Sequence, residues 1–222
     1  MSAKEAITVL QVSDMQFGRN HRFGPLGLPP PDDQFDSLLK RLQADLAYLG
    51  EQHGLQPDIL AVTGDLAELG KKTEFEDALA FIEQLTSFLK LDRNHVIIIP
   101  GNHDINRKAC EAHFNECEAD DKQPLPPYWP KWRHYHALFQ KFYGDESAIT
   151  FTQKEPWTLF EIPDVKVVVA GLNSTMAESH REGTHYGHVG EDQLRWFVVQ
   201  SEAMAPDRYD SSQLRARIHR RR

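Results

Sequence analysis

The chain has 222 residues, 40% of them hydrophobic, and a formal net charge of −8, which suits one soluble domain with a real core. Its longest apolar runs, such as Val165 to Leu172 broken by Lys166, fall far short of the ~20 residues that a membrane-spanning helix needs. Residues 1–5 lead into no signal-peptide apolar region, so a cytoplasmic protein is expected.

Ala6 to Val12 reads as a first strand, and the loop that follows carries Asp14 and Gln16. Residues 17–33 form a long connection with Arg19, Asn20, His21 and Arg22 ahead of Gly and Pro. A solvated loop is the plainer expectation there, although a cationic Arg19 or His21 beside a site could hold a phosphate. Phe35 to Gln52 places Phe35, Leu38, Leu39, Leu42, Leu46 and Leu49 on one helical stripe, the pattern of a crossover helix. Asp58 to Thr63 is a second strand, with Gly64-Asp65 at its mouth. The run from Gly64 to Thr73 superficially resembles a phosphate-binding P-loop. Its glycines are separated by one residue too many, and Lys72 follows Lys71 where Ser or Thr is required, so a nucleotide triphosphatase is rejected.

Thr73 to Leu89 is predicted as the next helix, capped by Thr73 and Glu76 at capping-box spacing. It returns the chain to the apolar run Val96-Ile97-Ile98-Ile99, expected to be the central strand, which Pro100-Gly101 ends. Asn102, His103 and Asp104 then offer an amide oxygen, an imidazole and a carboxylate at the carboxyl end of a buried strand, where open α/β sheets place their ligands. Ile105 to Glu118 reads as a helix. The two cysteines, Cys110 and Cys117, fall within it, and at ~1.5 Å per residue they are too far apart for a disulfide. Trp132, Tyr135, Phe139, Phe142 and Tyr143 are spaced as the core face of a further helix. On that helix His134 and His136 cannot share a face, so they stay out of the site. Trp157 to Ile162 and Lys166 to Leu172 read as a hairpin around Pro163-Asp164.

Any one Asp or Asn after a strand is an ordinary turn residue, yet here three strand ends in series deliver ligands. Asp14-Met15-Gln16, Gly64-Asp65 and Gly101-Asn102-His103-Asp104 together resemble the calcineurin-like metallophosphoesterases, whose pattern is D-x-H, then G-D, then G-N-H-[DE]. The resemblance implies an α/β fold, an αββα sandwich of the metallophosphoesterase type with its second half incomplete, over a domain at 1–204. It further implies hydrolysis of a phosphate mono- or diester at a two-metal site. Asp14 and Gln16 would hold one metal, Asn102 the other, and Asp65 both. His103 would stabilise or protonate the leaving oxygen, with Asp104 orienting its imidazole.

Gln16 stands where the family usually has His, and the residue type leaves it open between a direct ligand and a partner behind one. An amide oxygen in place of imidazole favours Mn²⁺ or Mg²⁺ over Zn²⁺, with Fe also possible. His188, in Gly-His-Val-Gly, does not match the family's G-H-x-H and is not taken as a ligand. Residues 205–222 form a polar, Arg-rich tail of six Arg and two Asp, expected to mark a truncated or frame-shifted end. A short basic tail does not by itself argue for nucleic acid. The competing expectation is a catalytically weak or inactive fold fragment that acts as a binding module. The oligomeric state is open.

Overall fold

The computed structural model describes residues 6–21, 38–144 and 147–204; the Arg-rich tail lies outside them. The chain divides into two compact units, 1–188 and 189–222. In the first, β1 (Val9–Val12), β2 (Ile59–Thr63) and β3 (Val96–Ile99) form a parallel sheet in the order β1-β2-β3. The register pairs Val9 with Ile59 and Leu60 with Val96. β2 is therefore the middle strand of this sheet, a correction to the expectation for β3. Its Ile59, Leu60, Ala61 and Val62 are all buried, as a strand covered on both faces requires. β1 alternates exposed and half-buried positions.

The helices α1 (Leu38–His53) and α2 (Lys72–Leu89) make the crossovers that parallel strands need. α2 starts one residue earlier than the Thr73 expectation, and its cap differs. The buried Glu74 carboxylate accepts the backbone N–H of Leu69 and of Lys71, each at 2.9 Å, which satisfies donors that a helix start leaves open. Phe75, Ala78, Phe81, Ile82 and Leu85 on α2 enter the core. They meet there Tyr135, Leu138, Phe139 and Phe142 of α4 (Arg133–Tyr143).

The α4 aromatics are core residues, as expected, and two of them also serve the sheet. Tyr135 donates its hydroxyl to Ile98 O at 3.0 Å and Tyr143 to Val96 O at 2.7 Å, so phenols occupy backbone acceptors of β3. α3 (Arg107–Ala119) holds both cysteines, which are free thiols. β4 (Thr158–Ile162) and β5 (Val167–Gly171) pair antiparallel, turning through Lys166, whose N–H donates to Pro163 O at 3.1 Å. The second unit contains α5 (Glu191–Met204), begun by Gln193 donating its amide to Val189 O at 2.7 Å. Among the described residues, no helix is long and apolar enough to cross a membrane.

Candidate active site

The three ligand-bearing loops lie side by side and are joined through their backbones. After β1 and β2 end, Asp14 N–H donates to Gly64 O at 3.3 Å, Gln16 N–H to Asp65 O at 2.9 Å and Phe17 N–H to Leu66 O at 2.7 Å, and Glu68 N–H returns to Phe17 O at 3.0 Å. This ladder continues the parallel pairing of β1 with β2 past the sheet proper. It is built with left-handed backbone at Asp14 (φ 56°), Gln16 (φ 46°) and Asp65 (φ 55°), a region that non-glycine residues seldom enter and that gathers at functional sites.

The second and third loops are pressed still closer. A Cβ on Gly101 would overlap Asp65 Oδ1, and one on Gly64 would lie 2.8 Å from Gly101 Cα. Only glycines allow the two chains to pass at this distance. The gap is closed by hydrogen bonds. His103 N–H donates to Asp65 Oδ1 at 2.9 Å, and the fully buried Asp104 carboxylate takes Gly101 N–H at 2.8 Å on one oxygen and Ala67 N–H at 2.9 Å on the other.

Asp104 therefore ties loop to loop and does not orient the His103 ring. That role falls to a backbone carbonyl: His103 Nδ1 lies 2.9 Å from Glu68 O. A carbonyl can only accept, so Nδ1 carries the proton and Nε2 is the nitrogen left for chemistry. Burial pushes the Asp104 carboxyl up to about 7, helped by the Asp65 charge and opposed by the N–H groups it accepts. Glu68 is held below the ordinary carboxylate range, chiefly by the Asn20 backbone and side-chain amides. Asn20 N–H reaches Glu68 Oε2 at 3.1 Å, and Asn20 Nδ2 donates to Oε1.

Of the expected site residues, Asp14 and Asn102 are exposed, while Gln16, Asp65 and His103 are half-buried on adjoining loops. A cavity of about 520 Å³ opens beside Asp14 and Gln16, lined also by Asn20, His21, Glu68 and Leu42. His21 is fixed there, Nδ1 to Met15 O at 2.8 Å, whereas Arg19 is exposed. His188 is exposed, with its N–H on Ser174 O at 2.6 Å.

Sequence reasoning missed a second charged group at this end of the fold. Arg107 donates Nη1 to Ser179 O at 3.3 Å and to the ring of His185, and pairs through Nη2 with the buried Glu178 at 3.5 Å. Glu178 is near enough to Asp65 for the two charges to be felt, and burial, the larger influence, raises its carboxyl above the usual range. Lys131, fully buried, fixes the chain here. Its Nζ donates to Thr175 O at 2.6 Å, Glu178 O at 2.7 Å and Met176 O at 3.2 Å, while its own carbonyl takes Asn106 N–H at 2.7 Å. A signal for Arg107 was present in the sequence, since a cation at the first position of a helix opposes the helix dipole.

Among the described residues no three His, Cys, Asp or Glu side chains form a metal-binding group. The donors gathered on the three loops are two carboxylates, Asp14 and Asp65, and two amides, Gln16 and Asn102. Oxygen donors of this kind fit a hard divalent cation and do not favour one that prefers imidazole or thiolate.

No curated protein matches the chain. The family model for calcineurin-like phosphoesterases matches residues 7–197, and it spans the three loops and the fold that carries them. The chain belongs to the calcineurin-like phosphoesterase family.

Proposed function

We propose that this protein is a metal-dependent hydrolase of phosphate mono- or diesters, acting through a two-metal site on the three strand-end loops. Membership of the family supports phosphate-ester hydrolysis in general. The observation that carries the proposal is the contact between the second and third loops, where Gly101 lies against Asp65 and His103 N–H closes onto Asp65 Oδ1 at 2.9 Å. So close a passage comes with left-handed backbone at Asp14, Gln16 and Asp65. It sets acidic and amide oxygens beside an imidazole.

In this proposal Asp14 and Gln16 hold one divalent cation, Asn102 a second, and Asp65 both, with Mn²⁺ the preferred ion. When bound, such cations polarise a phosphoryl group and lower the pKa of the attacking water. The protein's own residues do the rest. Glu68 O holds the Nδ1–H of His103, which leaves Nε2 to face the leaving oxygen and, when the ring has taken up a proton there, to donate it. Asp104, by holding Gly101 and Ala67, keeps Asn102 and His103 at a set height against Asp65. A catalytic domain at 1–204, a cytoplasmic location and an appended tail at 205–222 go with this proposal.

A second reading, a weakly active or inactive member of the fold that binds partners, is favoured by the lack of any three-residue His, Cys, Asp or Glu group among the described residues. One experiment separates them. The full chain is assayed on bis-p-nitrophenyl phosphate and p-nitrophenyl phosphate with and without added Mn²⁺, beside Asp65→Ala and His103→Ala. Turnover that needs added Mn²⁺ and is lost in both variants supports the hydrolase; no turnover at any Mn²⁺ concentration supports the second reading.

A further inference from the structure

We propose that Arg107 is a phosphate anchor, gripping the non-bridging oxygens of the substrate through the edge of its guanidinium that the protein leaves open. The proposal deepens the phosphoesterase reading and rests on it for its catalytic consequence, though not for the binding of phosphate itself.

A guanidinium has five N–H donors in a fixed plane. Here Nη1 serves Ser179 O and the His185 ring, and Nη2 faces Glu178. The Nε–H and one Nη2–H have no partner among the described residues. Two donors of that kind form the fork that matches two oxygens of a phosphate. The Arg107 side chain is 33% exposed, while Glu178, its ion-pair partner, is 3% exposed.

The guanidinium plane is held from three sides. Glu178 lies on the inner side and His185 on the exposed side, with the Ser179 carbonyl as the third partner. The segment bearing these partners is itself tied down. Ser179 N–H and Oγ both bond Thr184 Oγ1, at 3.0 and 2.9 Å, which sets His185 one residue on. Lys131 spans the two halves, accepting the N–H of Asn106 next to Arg107 and donating to the carbonyl of Glu178. An arginine immobilised before a ligand arrives loses little rotamer entropy on binding, which is the advantage of preorganisation.

The helix dipole does not account for Arg107. It is the first residue of α3, no acidic residue occupies the first turn, and Lys108 follows it, so two cations sit at the positive end of the helix dipole. Lys108 is 89% exposed and answers to Glu111 at 2.8 Å, but Arg107 is turned toward Glu178, whose charge and that of Asp65 interact. Arg107 comes shortly after Asn102 and His103 in the chain, and in this proposal it takes oxygens of a phosphate whose others face Asp65 and its neighbours.

The test is calorimetric titration of inorganic phosphate into the full chain, with and without Mn²⁺, alongside KM and kcat for bis-p-nitrophenyl phosphate. Variants are Arg107→Gln, Arg107→Lys and the neighbouring Lys108→Gln. Losing a bidentate, charge-assisted contact should weaken phosphate about tenfold or more and raise KM similarly while kcat falls less. Arg107→Lys, which keeps the ion pair with Glu178, should fall between, and Lys108→Gln should match the parent. If Arg107→Gln proves unstable, the Arg107 Nε–H resonance of the parent protein, followed by NMR, should shift as phosphate is added. Phosphate affinity equal in Arg107→Gln and the parent, an Nε–H signal that phosphate leaves unmoved, or no phosphate binding by the parent at millimolar concentration would each overturn the anchor. Turnover that persists in Arg107→Gln with unchanged KM would remove the anchor and leave the phosphoesterase standing. Arg107-dependent phosphate binding without turnover would do the reverse.

Discussion

The imidazole of His103 is aimed by the main-chain carbonyl of Glu68, 2.9 Å from Nδ1, and not by the carboxylate of the adjacent Asp104. Because the anchor is backbone, it persists in most side-chain variants, so the consequences of changing the ring and of changing Asp104 separate. His103→Gln should lower kcat about 10²–10⁴-fold, the usual worth of a positioned acid or base, with KM and the urea midpoint little changed. Steady-state kinetics on bis-p-nitrophenyl phosphate with Mn²⁺ checks this.

Asp104→Ala should act on stability first. It leaves the N–H groups of Gly101 and Ala67 without an acceptor, at about 1–3 kcal/mol each, so a loss of about 2–6 kcal/mol is expected by urea unfolding. Asp104→Asn restores one acceptor and turns an NH₂ toward the other donor, and should fall between.

Lys131 gives a pH dependence. Burial lowers its pKa from 10.5 to about 7; the charges of Cys110 and Glu178 oppose that fall and that of Arg107 adds to it. A cationic group with a lowered folded-state pKa binds fewer protons in the folded than in the unfolded chain between the two values. Stability from this group therefore rises with pH across the window from about 7 to 10.5. Urea midpoints at neutral and alkaline pH should show that slope in the parent, and Lys131→Met should flatten it.

The two thiols should differ in reactivity. Cys110 is buried, and burial raises its pKa, whereas Cys117 is half-buried beside His113. Thiolate and access both govern alkylation. Iodoacetamide on the native protein should label Cys117 first, with Cys110 following only in urea, as read by peptide mass.

What was legible in the sequence follows from range. The strands could be read because β-branched runs ended in Gly, Pro or Asp, and the α4 core face because its aromatics recur at helical spacing. The family could be read because its ligands sit next to one another along the chain. What could not be read depends on groups distant in sequence. Nothing local distinguishes a carboxylate that meets its own ring from one that bridges to Ala67, so Asp104 was given the wrong partner. Glu68 acts through its carbonyl, which every residue has. Glu74 displaced the expected Thr73 cap because it reached two N–H groups that precede the helix. Arg107, Glu178 and His185 meet across more than seventy residues, and only the awkward charge at the start of α3 hinted at it.

The left-handed backbone at Asp14 and Gln16 also sets a trade between robustness and use. Such a conformation is strained for a side chain and natural for glycine, at a difference of roughly 1 kcal/mol. Replacing either residue with glycine should therefore leave the melting temperature level or raised while it strips the site of a donor. A selection for folding alone would drift toward glycine at both positions. A selection for turnover would keep the side chain and accept the weaker fold, so a library sorted by both criteria should split at these two residues before it splits anywhere in the core.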